Sequence, residues 1–265
     1  MPDPLLYLAA IAAAALAAAL LVAAILWMSR ANPGKNATST RANVATVVGM
    51  AGGLIAGYWV LDLYLSWPPV NALDRLLTLV LPLAVGSELV AAFEKVPRWL
   101  AWTLRMVLVA VMGRILLHGS VYLTSAHSTW AIGVQLAACA ALTAGLWRCA
   151  AAWADRGPRR IPIAMALALT MICAGGLIMF SGYVSGGAAT LPLSTALVAT
   201  VVTSSLLTRG ANVQAPIGIG VVGVSGLLFI GHYFGGLSSG VAAALLLAPL
   251  LGWMPEMLRR NHRDR

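Results

Sequence analysis

Among the ionisable side chains inside or at the edge of long apolar stretches are Asp62, Asp74, Glu88, Arg105, Arg114 and His118. A charge at the centre of a bilayer costs about 2.5–3.5 kcal/mol on insertion scales, so each needs a partner, water or a route to the interface. Glu88 and Arg105 sit about six residues from the facing ends of two consecutive apolar stretches joined by a short loop. They are therefore at matching depth, and a Glu88–Arg105 ion pair is expected. Arg114 follows Arg105 by nine residues, which at about 100° per residue puts it on the opposite helix face. It lies one turn before His118, and Asp62 or Asp74 is its expected partner. Asp74 and Glu88 share a helix face. Pro82 lies between them and should kink the helix, freeing a backbone carbonyl. Together these residues read as an anion or proton site, an ion or solute pathway through the second to fourth apolar segments. The bland alternative is ion pairs that only hold three helices in register, with Arg105 and Asp62 snorkelling to their nearer interfaces.

Other polar groups offer less. Thr195, Thr200, Thr203, Ser204, Ser205 and Thr208 form a hydroxyl-rich seventh segment. Such a stripe lines a polar path, or bonds back to its own helix carbonyls. His118 and His232, both expected near the outer surface, could serve a haem or a proton relay, but read more simply as interfacial histidines. Gln135, Cys139, Cys149 and Cys173 read as packing residues. Three cysteines give neither a disulfide framework nor metal spacing. The chain holds no Walker loop, HExxH, GxSxG or CxxC motif. No Asp-rich or His-rich loop supports lipid or isoprenoid chemistry. Neither an enzyme nor a bound cofactor or metal is expected.

The elements that position these residues follow from composition. Of 265 residues, 60% are hydrophobic and 9% charged, against about 25% charged in soluble domains. This excludes disorder and an ordinary soluble fold. A spanning helix needs about 20 mostly apolar residues. Nine stretches approach that, at 5–28, 44–65, 73–93, 99–122, 130–152, 161–184, 191–208, 217–234 and 237–254. The expected fold is an all-α integral membrane bundle of about nine transmembrane helices, a single domain over 1–265 ending in a basic tail at 255–265.

The net charge of +9 follows topology rather than a nucleic-acid surface. Fourteen of the 17 basic residues fall in alternate connections and the tail: Arg30, Lys35, Arg41, Lys95, Arg98, Arg148, Arg156, Arg159, Arg160, Arg209, Arg259, Arg260, Arg263 and Arg265. By the positive-inside rule the N-terminus is outside and the C-terminus cytoplasmic. The first helix then reads as an uncleaved anchor in a bacterial inner (plasma) membrane. All six tyrosines fall toward the expected outer ends, as amphipathic rings favour. The exceptions among the basic residues are Arg75, Arg105 and Arg114.

Gly49, Gly53 and Gly57 form a four-residue row, and Gly182–Gly186 and Gly231–Gly235 repeat the spacing. Such rows let helices approach closely within a chain, or carry a homo-oligomer or membrane-complex contact. Gly176, Leu177, Tyr183 and Gly186 recur fifty residues later as Gly226, Leu227, Tyr233 and Gly236, suggesting repeated hairpins with Gly-rich outer turns. Two functions follow as expectations: a transporter or channel-like protein for a small solute or ion, or a non-catalytic membrane subunit or scaffold. Partners are the lipid bilayer and another membrane protein, not nucleic acid.

Overall fold

A computed structural model describes residues 4–30, 37–63, 67–93, 95–124, 129–154, 160–208 and 214–251. Their regular structure is entirely helical. In chain order it comprises α1 (Pro4–Arg30), α2 (Ala37–Val60), α3 (Ala72–Arg75), a π-helical turn (Leu76–Val80) and α4 (Leu81–Ala91). There follow α5 (Arg98–Leu117), α6 (Val121–Thr124), α7 (Thr129–Ala154), α8 (Arg160–Phe180), α9 (Val184–Ala188), α10 (Thr190–Leu207), α11 (Gln214–Gly235) and α12 (Ser239–Leu251). Seven helical segments among the described residues are long and apolar enough to cross a membrane. They belong to α1, α2, α5, α7, α8, α9 continuing into α10, and α11. Lys35, Arg156, Arg159, Arg209 and the 255–265 tail lie outside the described residues.

Two expected stretches take other forms. The third is helical but divided, with Pro82 in the first turn of α4 just after the π turn. Proline offers no N–H to the preceding turn, and the widened turn accommodates the loss. The ninth is represented by α12, whose 13 described residues include Pro249. A third difference concerns the outer loop expected at 185–190, which is helical instead. Gly187 lies so close to α8 that a Cβ would meet the Gly175 carbonyl at 2.5 Å. Those glycines serve helix contact rather than a turn. The turn itself is made by Gly182 at φ +99°, which ends α8 with bonds from Gly182 N to Met179 O and from Tyr183 N to Ile178 O.

The architecture is a ring around α11. That helix is buried along almost its whole length and touches α2, α4, α5, α7, α8, α10 and α12. Its glycines make this possible. Side chains of α7 and α4 press on Gly218, Leu193 of α10 on Gly223, and Leu76 on Gly226. On one flank α1, α2 and α10 pack together. Ala10, Ala14, Ala18, Val22 and Leu26 form the buried stripe of α1. The Gly49–Gly53–Gly57 row of α2 meets that stripe and α10, so within the chain it is already a packing face.

Contacts define two ends. Asn43, Glu88, Arg105 and Gln214 gather at one, where Arg148 also stacks on Trp102. Asn71, Arg75, His118, Tyr183 and Phe234 gather at the other. Arg41, Lys95, Arg98 and Arg148 belong to the first, termed the basic end below.

A Cβ on Gly53 would lie 2.8 Å from the Ala14 carbonyl and 2.9 Å from the β-carbons of Ala18 and Ala196. Gly53→Ala is therefore expected to cost about 1–3 kcal/mol by overpacking. Gly145 has nothing within 4 Å of its missing Cβ, so Gly145→Ala should leave stability unchanged or raised. Thermal unfolding in mild detergent checks both.

Candidate functional site

The expected ion pair forms. Arg105 Nε donates to Glu88 Oε1 and Arg105 Nη2 to Glu88 Oε2, both at 2.7 Å. The fork geometry is the strong bidentate form of a charge-assisted bond. The side chains are 5% and 1% exposed, so water contributes almost nothing. The Arg105 guanidinium lies 4.9 Å from the Trp102 ring centroid and 5.5 Å from that of Trp147. Arg148 covers Trp102 as well, at 5.3 Å. Aromatic faces and a carboxylate thus replace the solvent shell of the cation. Gly218 lets α11 rest on this assembly, because a Cβ there would stand 2.8 Å from Glu88 Oε1 and 2.6 Å from Trp147 Nε1. An adjoining pocket of about 30 Å³, between Asn43, Gln214 and the pair, is too small for anything but water.

The other four candidates do not join the pair. Arg114 is exposed on the outward stripe of α5 with Val107 and Val111. It makes no ion pair among the described residues, so neither Asp62 nor Asp74 is its partner. Its opposition to Arg105 was legible, but the opposite face is the outward one. Three residues before the helix end, about 4.5 Å along the axis, a long side chain reaches the interface. Asp62 is exposed and ends α2 with φ +55°. Bonds from Asp62 N to Trp59 O and from Leu63 N to Tyr58 O make it the left-handed residue of a helix stop.

Asp74 and His118 reach the opposite end. Asp74 accepts a bond from Asn71 N at 3.1 Å at the start of α3. His118 occupies the second position of a type II turn after α5 (φ −55°, ψ 130°), followed by Gly119 at φ +70°. Between them Arg75 donates to the carbonyls of Leu116 and Val70, at 3.3 and 3.1 Å. It thereby caps α5 and ties α3 to it. His118, Arg75, Asn71, Tyr183 and Ser185 line a polar cleft of about 320 Å³. Partial burial pushes the Tyr183 hydroxyl up, opposed by a hydrogen bond with Ser185 and aided by nearby Asp74.

The hydroxyls of α10 mostly bond back to their own helix. Ser194 and Thr195 donate to Leu191 O, Ser204 to Val201 O and Thr208 to Ser204 O. Buried Thr200 and Ser205 have no hydrogen-bond partner among the described residues. Thr200 faces α2 at Gly49 rather than a cavity.

A different polar line runs between α7 and α11. Gln135, Cys139, Thr143 and Trp147 recur every four residues on α7, and Gly218, Ser225 and His232 every seven on α11. Each spacing stays on one helix face. A cavity of about 190 Å³ opens along this seam between α5, α7, α11 and α12, with Met112, Leu142, Phe229 and Leu246 as apolar wall. Its lining holds no Asp, Glu, Lys or Arg. Tyr233 Oη donates to Gln135 Oε1 at 2.7 Å, and Tyr122 Oη to Tyr233 O at 2.9 Å. His232 Nδ1 lies 2.6 Å from Leu237 O. A carbonyl only accepts, so the proton belongs on Nδ1, leaving Nε2 an acceptor in the neutral ring. Ser225 Oγ is buried and has no partner among the described residues. So does the Trp147 indole nitrogen at the closed end of the seam.

Sequence reasoning read Gln135 and Cys139 as packing residues and His232 as interfacial, and did not single out Ser225. The signal was present as matched spacings on two helices. Nothing in the sequence says that those two faces meet.

Truncating one partner of the buried pair strands the other charge, so Glu88→Ala or Arg105→Ala is expected to cost about 3–5 kcal/mol. The double variant Glu88→Leu/Arg105→Met should recover most of the loss in the same detergent unfolding experiment. Comparison with known proteins adds no assignment: no family model, curated protein or solved structure matches the chain.

Proposed function

We propose that this chain is a transporter or channel-like protein of the bacterial inner membrane that takes a small solute into the α5–α7–α11–α12 cavity. In this reading the bundle has nine spans, an outer N-terminus and a cytoplasmic C-terminus. The observation that carries it is the cavity itself: a partly open space of about 190 Å³ between apolar helices, with the unpartnered Ser225 hydroxyl in its wall. Buried polar groups are normally satisfied, and an exception inside a cavity suits a ligand. The charges expected to form the pathway take a different role. Glu88 and Trp147 press on Gly218, two turns or about 10 Å along α11 from Ser225, and with Arg105 close the basic end of the seam.

A second reading, the non-catalytic subunit, is favoured by an apolar groove of about 660 Å³ between α2 and the π–α4 segment, lined by Ile55, Trp59, Leu81 and Pro82. A partner helix seated there would be retained in a mild-detergent pulldown.

Liposome swelling tests the solute reading. Proteoliposomes shocked with a panel of small neutral solutes should swell faster than protein-free liposomes. Ser225→Phe, which fills the cavity, should remove that increment. Equal swelling with and without protein across the panel would sink the proposal.

A further inference from the structure

The cavity along the α7–α11 seam also specifies a ligand class, and this inference rests on the solute reading above. We infer that it takes an uncharged molecule of about one six-membered ring, carrying a single hydroxyl or N–H group that hydrogen-bonds Ser225 Oγ.

Size comes first. An apolar cavity of about 150 Å³ holds benzene, and this one measures about 190 Å³. One ring with a small substituent fits this space. The walls come second. Met112, Leu142, Leu228, Phe229 and Leu246 offer carbon and sulfur surface to a ring.

Charge comes third. No ionic side chain lines the cavity, and the Glu88–Arg105 charges satisfy each other bidentately. An ion entering here would lose its hydration without a counter-charge. The site therefore excludes the anion that a reading of the arginines suggests. The polar anchor comes last. Ser225 is 5% exposed and its hydroxyl lacks a partner. A hydroxyl both donates and accepts, so it can accept from a ligand O–H or N–H. Thr143, across the seam on α7, already donates to Cys139 O at 2.8 Å. His232 Nε2 and the Tyr233–Gln135 pair stand toward the far end of α11, where they can pass a polar group inward before it reaches Ser225.

Cys139 lines the cavity and supplies the readout. Cys173 is exposed on α8 and outside the cavity lining, so it reports any non-specific effect. In nanodiscs, Cys139 modification by methyl methanethiosulfonate is followed by peptide mass spectrometry with phenol, benzene or benzoate present. Phenol and benzene should protect Cys139 saturably while Cys173 reacts unchanged, and benzoate at neutral pH should give no protection. Ser225→Ala should weaken phenol about tenfold through the lost buried hydrogen bond, with benzene within about twofold. No saturable protection by either neutral ring would overturn the inference. Equal protection by benzoate, or unchanged phenol affinity in Ser225→Ala, would also overturn it. Protection without solute-driven swelling would leave the binding site standing and defeat the transport reading. Swelling without protection would do the reverse.

Discussion

A helix enclosed on every side inside a bilayer sets the terms for the rest of this fold. Lipid is as apolar as leucine, so burying α11 gains nothing from water leaving its surface. What holds it is close van der Waals contact, and close contact on all faces requires a thin helix. Hence Gly218, Gly223 and Gly226 point at α7 and α4, at α10 and at the π turn in succession. The same logic governs the flank, where Gly53 of α2 admits the alanines of α1 and α10. Leu193 and Leu76 press onto the glycines because the two kinds of residue interlock.

The Glu88–Arg105 pair is a consequence of that enclosure. Two charges at 5% and 1% exposure are tolerated only because each satisfies the other and the guanidinium is flanked by indole rings. Such a pair contributes little net stability against an apolar replacement, but it allows only one register between α4 and α5. Its position under Gly218 carries that register to the central helix. Higher along the same face α11 presents Ser225 and His232 to α7, which answers with Thr143 and Gln135. These side chains are too short or too polar to fill the space between helices, and a cavity remains. The closed and open parts of the seam thus follow from one change of side-chain volume along two faces.

Much of this was legible in the residues. Matching depth on consecutive helices predicts the Glu88–Arg105 pair, because a short loop leaves no other vertical alignment. Pro82 marks a break since it cannot donate to the preceding turn. The glycine row of α2 marks a close contact. Helical periodicity also correctly opposed Arg114 to Arg105. It could not say which of the two faces looks inward, and the choice of a partner for Arg114 failed there. Asp62 failed for another reason. Its side chain suggested an electrostatic role, whereas its position is set by backbone conformation at the helix stop. Gly187 read as part of a turn because glycine serves turns and close contacts alike.

The sequence by itself determined that this is a membrane-embedded helical bundle, roughly where its long helices lie, and that Glu88 and Arg105 pair. Those properties depend on hydropathy, length and depth, which are local or one-dimensional. Only the tertiary structure decided that α11 is the hub, that Arg114 faces outward, and that the α7 and α11 faces meet around a cavity. These depend on the order of helices around the bundle and on the rotation of each about its axis. In lipid every apolar face is equally at home outside. Hydropathy then no longer marks the inward side, and shape complementarity among glycines, leucines and tryptophans makes the choice.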